Sequence, residues 1–374
     1  MDVFDILDRL VAFPSVAGKP NGDIAGWIET HLAERGTQVT LLPGPEGDRF
    51  NLFATIGPAD VPGYILSGHM DVVPAGEPQW SSAPFGLRRE GERLYGRGTT
   101  DMKGFLAAVL AAVPALTGLR LARPIHLAFS YDEEVGCRGV PHLIARLPEL
   151  CAKPLGVIVG EPSGMRAVRG HKGKAAARVT INGRSGHSSR PDLGLNAIHA
   201  MAGALSAAVN EAERLTHGPF DAAFEPPYSS LQAGLVAGGQ SVNIIPDTCT
   251  LDLEARAIPG VDPAGLLAPV KARAEALAAE GFRVEWTPIS AYPALSLPPD
   301  APLAGLLREL TGEAPLAAVS YGTEAGLYQA AGFDAIICGP GDIGRAHKPD
   351  EYILTNELAA CQRLIEALGA RCAA

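Results

Sequence analysis

The chain has 374 residues, a formal charge of −10 and 47% hydrophobic residues. Its length favours two domains, and an acidic chain without a basic run lacks the electrostatic footprint of a nucleic-acid-binding protein. No stretch is free of charge over the ~20 residues that a membrane helix needs. The acidic start of the chain is unlike a secretory signal, and the six cysteines have no CxxC spacing. We therefore expect a cytoplasmic protein that binds neither nucleic acid nor membrane.

Short apolar runs predict buried strands at residues 64–66, 125–131 and 156–159, with a fourth at 335–338. Runs that are apolar throughout are typical of strands covered on both faces of a mostly parallel sheet. An alanine- and leucine-rich segment at 105–116 predicts a core helix that closes near Pro114. The pattern indicates an α/β fold, a mostly parallel mixed sheet between helical layers.

Residues 174–288 have a different character and interrupt this pattern. Strand candidates at 177–181, 249–255 and 282–286 alternate apolar and polar residues, and helical segments are predicted at 196–215 and 263–279. Alternation is typical of an antiparallel sheet with one face exposed to water. We expect an inserted α+β domain at 174–288 and a discontinuous catalytic domain formed by residues 1–173 and 289–374.

Polar residues follow the predicted strands, where ligands gather in α/β proteins. His69 and Asp71 come after the first strand, and Asp101 lies in a glycine-dense loop at 96–104. A His-x-Asp pair alone is more often a capped loop than a metal site. The glycine-dense loop lacks the lysine ending of a P-loop, and its central carboxylate would repel phosphate. Asp101 fits better as an anion that faces cations.

Three further strand ends carry possible metal ligands. Glu133 and Glu134 follow the second strand, Glu161 follows the third, and His347 lies beyond the fourth. An acidic triplet can be a solvated loop, but at the end of a buried strand its repulsion is costly without a cation. Imidazoles and carboxylates together suit zinc, cobalt or manganese. Two such ions can activate a bridging water and polarise a carbonyl, which amide hydrolysis at neutral pH requires.

Six motifs, SGHMDVVP, GRGTTDMKG, YDEEVG, GEPS, SGHSS and AHKPDEY, carry a resemblance over nearly the whole chain. In order and spacing they resemble the family of acetylornithine deacetylase, succinyl-diaminopimelate desuccinylase, and the related aminoacylases and glutamate carboxypeptidases. The resemblance implies two divalent ions, most simply zinc. It also implies the ligands: His69 and Glu161 for one ion, Glu134 and His347 for the other, and Asp101 bridging them.

The same resemblance implies three catalytic roles. Asp71 orients His69, and Glu133 acts as the general base that moves a proton from water to the leaving amine. His187 lies in the insert, where spacing alone is equally compatible with a loop-capping histidine. In the family, the matching histidine reaches the partner subunit's active site and stabilises the oxyanion. The resemblance thus implies a homodimer formed through a ferredoxin-like insert.

Four residues match family positions that bind the substrate: Asn243, Arg256, Gly322 and Thr323. A lone strand arginine is more often part of a surface salt bridge, although its planar guanidinium also suits a carboxylate. The resemblance therefore assigns Arg256 and Asn243 to the substrate carboxylate, and Gly322 and Thr323 to a substrate-binding loop.

Residues 167–173, 322–325 and 339–341 resemble the acetylornithine deacetylase branch, which predicts hydrolysis of N2-acetyl-L-ornithine to L-ornithine and acetate in arginine biosynthesis. The alternatives are a desuccinylase of N-succinyl-diaminopimelate and a deacylase of another N-acyl amino acid. Two other classes are an inactive member that only binds metal or amino acids, and a nucleotide-binding enzyme that uses the loop at 96–104. An intact Glu133 argues against an inactive member.

Overall fold

The computed structural model describes residues 1–76 and 78–374. The chain divides into two compact units. The first, called the catalytic unit below, comprises Met1–Gly170, Leu295–Ala318 and Thr323–Ala374, and the second, the inserted unit, comprises His171–Ala294 and Val319–Gly322. The inserted unit extends a few residues beyond the predicted insert, 174–288, at both ends.

The helices lie in both units. In chain order they are α1 (Val3–Val11), α2 (Gly22–Ala33), α3 (Gly104–Thr117), α4 (Val140–Leu150), α5 (Ala197–Leu215), α6 (Ala268–Glu275), α7 (Pro302–Thr311), α8 (Ala325–Ala330) and α9 (Thr355–Cys372). Short 3-10 turns flank α6 on both sides, so the helix predicted at 263–279 is broken into three pieces.

The strands vary from two to ten residues. In chain order they are β1 (Gln38–Pro43), β2 (Phe50–Ile56), β3 (Tyr64–His69), β4 (Arg88–Glu90), β5 (Arg93–Tyr95), β6 (Ile125–Ser130), β7 (Gly156–Pro162), β8 (Gly170–His171), β9 (Gly173–Asn182), β10 (Gly186–His187), β11 (Ser230–Gly238), β12 (Ile244–Ile245), β13 (Thr248–Ala257), β14 (Arg283–Tyr292), β15 (Leu295–Ser296), β16 (Ala335–Gly339) and β17 (Tyr352–Leu354).

The catalytic unit is built on a six-stranded sheet in the order β1-β2-β6-β3-β7-β16. The pairs from β6 to β16 are parallel, and β1 and β2 add antiparallel pairs at one edge. Every residue of β6, β7 and β16 is buried, which explains why their sequences are apolar throughout. Helix α3 packs against β3 and β7, whereas α4 packs against β2 and β6. The predicted α/β fold with a mostly parallel mixed sheet is confirmed.

Helix α3 runs through the core of the catalytic unit. The segment Thr99–Thr117 is long and apolar enough to cross a membrane by composition alone, but 83% of the window that meets this criterion is buried inside the protein. The core helix predicted at 105–116 is confirmed, and it ends three residues after Pro114, at Thr117. Proline lacks an N–H but does not block the next turn, where the Thr117 hydroxyl donates to the Val113 carbonyl at 3.0 Å.

The inserted unit has a four-stranded antiparallel sheet in the order β11-β13-β9-β14. Helix α5 packs on β9, β11 and β13, and α6 packs beside α5. In β9 and β13 every second residue is buried, so one face of the sheet forms a core with the helices. The predicted α+β character of the insert is confirmed. Edge strand β11 was not among the predicted strands.

Candidate metal centre

Five side chains predicted as metal ligands meet at the carboxyl end of the central strands of the catalytic unit. His69 ends β3, Glu161 lies near the end of β7, and Asp101 lies in the turn that precedes α3. Glu134 follows β6, and His347 lies in the loop after β16. Parallel strands bring their carboxyl ends to the same edge, so residues far apart in sequence converge there.

The distances arrange these five side chains on two sides of Asp101. On one side, His69 Nε2 lies 3.0 Å from Asp101 Oδ1 and 3.7 Å from Glu161 Oε1. On the other side, His347 Nε2 lies 3.2 Å from Asp101 Oδ2 and 3.0 Å from Glu134 Oε2. Each carboxylate oxygen of Asp101 therefore faces a different imidazole, as a carboxylate that bridges two cations would.

The donor set fits divalent metal ions. Ligand atoms of His69, Glu133 and Glu161 lie within 4.8 Å of one another, as do those of His69, Asp101 and Glu134. Within the described chain, Glu161 Oε1 is buried and accepts no hydrogen bond. A buried carboxylate oxygen without a partner carries a large desolvation cost, which a cation would offset. Imidazole nitrogen and carboxylate oxygen are ligands that zinc and related first-row ions accept.

The electrostatics show an excess of negative charge at this site. Burial, reinforced by neighbouring carboxylates, raises the pKa of Glu133 to about 8 and that of Glu134 to about 7. Hydrogen bonds to Asp101 and Glu134 raise the pKa of His347 to about 10. Burial opposes ionisation of Asp101, but the bonds from His347 and His69 lower its pKa below the usual range. The raised pKa values favour the protonated forms of Glu133, Glu134 and His347 until cations bind.

Comparison with known proteins identifies the family. The model of peptidase family M20/M25/M40 matches residues 65–371. The acetylornithine deacetylase of Proteus mirabilis is 35% identical over 88% of this chain and 84% of its own length. The chain belongs to peptidase family M20/M25/M40. The acetylornithine deacetylase of Klebsiella pneumoniae is 34% identical over 96% of this M20 family member and 95% of its own length.

Solved structures share the fold of this M20 family member. A metallo-carboxypeptidase of the same family from Sulfolobus solfataricus has a TM-score of 0.81 at 20% identity, with 99% of both chains covered. A dinuclear metal-binding peptidase from Bacillus subtilis has a TM-score of 0.67 at 16% identity, covering 99% of this chain and 97% of its own. The resemblance seen in the motifs is confirmed, and the chain is a hydrolytic enzyme that acts on amide bonds.

Asp71 contacts His69 mainly through its backbone. His69 Nδ1 donates to the Asp71 carbonyl oxygen at 2.9 Å, whereas the nearest carboxylate oxygen is 3.6 Å away. The Asp71 carboxylate accepts instead from the backbone N–H groups of Glu133 and Glu134, each at 3.1 Å. Asp71 thus fixes the His69 tautomer, with Nε2 free to face Asp101, and at the same time holds the loop of Glu133 and Glu134.

The three acidic side chains at 132–134 have different surroundings. The Asp132 carboxylate accepts from Gly18 N at 2.7 Å and pairs with the Arg49 guanidinium. Asp132 adopts a positive φ of 54°, so the chain turns sharply before the two glutamates. Glu133 and Glu134 therefore point into the metal centre, while Asp132 anchors the turn that carries them.

Two buried carboxylates near the centre were not predicted as metal ligands or catalytic residues. Glu324 is fully buried and accepts from the hydroxyls of Ser67 at 2.5 Å and Ser130 at 2.7 Å, near the ends of β3 and β6. Glu351 is 1% exposed and pairs with Arg97 at 2.9 Å. The motif at 346–352 contained Glu351, but its sequence carries no signal that the side chain is buried.

The remaining predicted residues lie mainly in the inserted unit. His187 is exposed on β10, next to the segment of Asn243, whose carbonyl oxygen accepts from Ser188 N at 3.1 Å. Arg256 lies on β13 and donates to Glu254 at 2.6 Å and to the Tyr292 hydroxyl at 3.3 Å. The other two residues of this group fall at a unit boundary: Gly322 ends the inserted unit, and Thr323 begins the last segment of the catalytic unit.

Gly322 and Thr323 are tightly constrained by their neighbours. A Cβ at position 322 would lie 2.4 Å from Tyr292 Cε2, so the close approach of the ring requires glycine. Thr323 is fully buried, and its hydroxyl accepts from Ala325 N at 3.0 Å, at the start of α8. Both residues therefore have local structural roles, to which substrate binding would be additional.

Proposed function

We propose that this M20 family member hydrolyses N2-acetyl-L-ornithine to L-ornithine and acetate, as a cytoplasmic step of arginine biosynthesis. The relatives cited above are named acetylornithine deacetylases, and their similarity to this protein covers most of the chain. The single observation that carries the chemistry is the pair of imidazole–carboxylate groups on either side of Asp101, with the partly buried Glu133 carboxyl beside them.

The proposed centre holds two divalent ions, most simply zinc, with cobalt or manganese as alternatives. We assign His69 and Glu161 to one ion, Glu134 and His347 to the other, and Asp101 to both. Bound there, the ions supply Lewis acidity that polarises the acyl carbonyl and lowers the pKa of water. This assignment is supported by the way each Asp101 oxygen faces a different imidazole.

Glu133 is the proposed general base. It takes one proton from the water that attacks the acyl carbon, and it returns that proton to the nitrogen of ornithine as the C–N bond breaks. Burial raises the pKa of Glu133, and bound cations would lower it again, so that the carboxylate can accept a proton from water near neutral pH. The Cys137 thiol donates to Glu133 Oε1 at 3.3 Å and so helps to fix the orientation of the base.

His187 is proposed to stabilise the developing oxyanion in the active site of a partner subunit. Its Nδ1 accepts from Ser189 N at 3.1 Å, so the neutral ring carries its proton on the exposed Nε2. A donor held in this orientation is what an oxyanion requires.

The homodimer that this role of His187 requires would form along β11, an edge strand of the inserted sheet. Leu235 and Val236 on β11 are 54% and 49% exposed, and Val209 on the adjacent helix α5 is 60% exposed. An edge strand presents unpaired backbone groups, and exposed apolar side chains beside it favour pairing with a second copy of the chain.

The substrate carboxylate is proposed to bind Arg256 and Asn243. Arg256 Nε and Nη1 are held by Glu254 and the Tyr292 hydroxyl, which fixes the guanidinium plane and leaves Nη2 for a ligand. Gly322 and Thr323 are proposed to form the loop that contacts the rest of the substrate.

A substrate panel tests the proposal. Purified protein, freed of metal and then supplied with zinc or cobalt, is assayed against N-acetyl and N-succinyl amino acids. We expect the highest kcat/KM for N2-acetyl-L-ornithine. A preference for N-succinyl-diaminopimelate or for another N-acyl amino acid would overturn the substrate assignment. Full activity after removal of all divalent ions would overturn the metal chemistry.

A further inference from the structure

The buried carboxylate of Glu351 accepts hydrogen bonds from the turn that carries Asp101. Its Oε2 accepts from Arg97 Nη1 and Gly98 N, both at 2.9 Å. Its Oε1 accepts from Thr100 N at 2.8 Å and from Asp101 N at 3.0 Å. Four donors occupy the two oxygens, and three of them are backbone N–H groups of one short turn.

These bonds fix the backbone of Asp101 itself. Asp101 has φ −124° and ψ 90°, which interrupts the helical turn at Thr99–Lys103 and points its side chain between His69 and His347. Backbone N–H groups that converge on an anion form an anion-binding turn, and here the anion belongs to the chain itself. Removing the anion would leave three buried donors without an acceptor.

The same segment also carries a metal ligand, because Glu351 lies four residues after His347. Further bonds join the two loops: Gly96 N donates to the Glu351 carbonyl at 2.9 Å, and the Thr100 hydroxyl donates to the Tyr352 carbonyl at 2.6 Å. The positions of Asp101 and His347 relative to each other are therefore set by the contacts of Glu351 and its neighbours.

We propose that Glu351 is a positioning residue that holds Asp101 in its bridging orientation and so sets the affinity of the centre for its second divalent ion. The inference rests on the proposed function in taking Asp101 as the bridge. Glu351 is not among the proposed metal ligands or substrate-binding residues. It acts through the backbone of Asp101, whose two oxygens must keep facing different imidazoles.

The variant Glu351→Gln tests this role. Its amide keeps the shape of the side chain, but the NH2 group faces backbone N–H donors and cannot accept from them. Residues that orient metal ligands typically change metal affinity or activity by about 10- to 100-fold when replaced. We expect the second ion to bind at least about tenfold more weakly and kcat to fall, while KM for N2-acetyl-L-ornithine changes less than about twofold.

The measurement is a titration of metal-free protein with Co²⁺, followed by visible absorption and by the magnetic coupling between two bound ions. Glu351→Gln should lose the coupling at Co²⁺ concentrations that saturate the unsubstituted protein. The variant Glu351→Asp keeps the negative charge on a shorter side chain, and it should also lower the affinity for the second ion. It tests the proposal even if Glu351→Gln does not fold. Glu211→Gln is the matched control, since Glu211 is a buried carboxylate bound by Arg214 on α5 of the inserted unit.

Unchanged affinity for both ions and an unchanged Co²⁺ spectrum in the Glu351 variants would overturn the inference, even if their melting temperatures fall. The proposed function fails separately. If the unsubstituted protein binds two coupled ions but hydrolyses no N-acyl amino acid, the deacetylase assignment is lost while the metal titration still tests Glu351. If it binds fewer than two ions, the bridging role of Asp101 is lost as well.

Discussion

Binding of divalent ions to the metal-free protein should release protons, because the groups around the centre hold them at neutral pH. The pKa is about 8 for Glu133, about 7 for Glu134 and about 10 for His347. At pH 7 a proton therefore occupies about nine-tenths of Glu133, about half of Glu134 and nearly all of His347. Burial opposes the charged form of His69, but its bond to Asp101 raises its pKa, and burial raises the pKa of Glu161, so these two ligands add to the protons held. Cations favour the deprotonated form of each group, so we expect at least about two protons to be released at pH 7.

The sign of the pH dependence follows from this competition. All three pKa values are raised, so lowering the pH fills the sites with protons that a cation must displace. Affinity should fall by about tenfold per pH unit for each proton displaced, and most steeply below pH 7, where Glu134 also becomes protonated. Above pH 8 Glu133 and Glu134 are mostly deprotonated, and the dependence should become shallower.

Calorimetric titration with Zn²⁺ in two buffers of different ionisation enthalpy measures the proton count. The difference between the two apparent binding enthalpies gives the number of protons released. Glu134→Gln should release fewer protons than the unsubstituted protein, whereas the control Glu211→Gln should release the same number. Release of less than one proton at pH 7, or an affinity that is unchanged between pH 6 and pH 8, would refute the reasoning.

Three further predictions concern the base, the core and the edge strand. Glu133→Gln should lower kcat by at least about 100-fold with unchanged metal stoichiometry; an unchanged rate would remove Glu133 from the mechanism. Burial lowers the pKa of His126 to about 4, so below pH 6.5 the unfolded state binds a proton that the folded state does not, and folding loses about 2 kcal/mol of stability at pH 5. In urea unfolding, the His126→Phe variant should therefore lose less stability between pH 7 and pH 5 than the unsubstituted protein. Equal losses would contradict this. The Leu235→Lys variant should be a monomer in light scattering, whereas the control Ile289→Lys, on the opposite edge strand β14, should remain a dimer. A dimeric Leu235→Lys variant would exclude β11 as the interface.

The sequence predicted the buried strands of the catalytic unit well, because strands covered on both faces must be apolar throughout. The same reasoning missed β11, where Gly234, Gly238 and two alanines interrupt any alternation of apolar and polar residues. Its strand conformation comes from pairing with β13, with a bulge between Ala233 and Leu235. Tertiary pairing of this kind overrides local propensity and leaves no local pattern to read.

At the candidate centre, the rule that ligands follow parallel strands predicts that His69, Glu134 and Glu161 lie near one another, as they do in the structure. Their roles as ligands stay a prediction. The sequence pattern could not show that the side chain of Asp132, unlike those of its two acidic neighbours, faces away from the centre. A turn with positive φ at Asp132 directs its carboxylate toward Arg49. It also could not show that Nδ1 of His69 binds the Asp71 carbonyl more closely than the carboxylate.

Two of the buried carboxylates around the centre, Asp71 and Glu324, share a feature that bears on its affinity for cations. Asp71 accepts from backbone N–H groups, and Glu324 accepts from two serine hydroxyls. Neutral donors favour the ionised form of a carboxyl group without cancelling its charge, unlike an arginine or lysine partner. Their negative charge therefore adds to that of Asp101 and the glutamates, and Asp71 is one of the carboxylates that, together with burial, raise the pKa of Glu133. Replacing a neutral donor by a cation at Ser67 or Ser130 would weaken ion binding without touching a ligand.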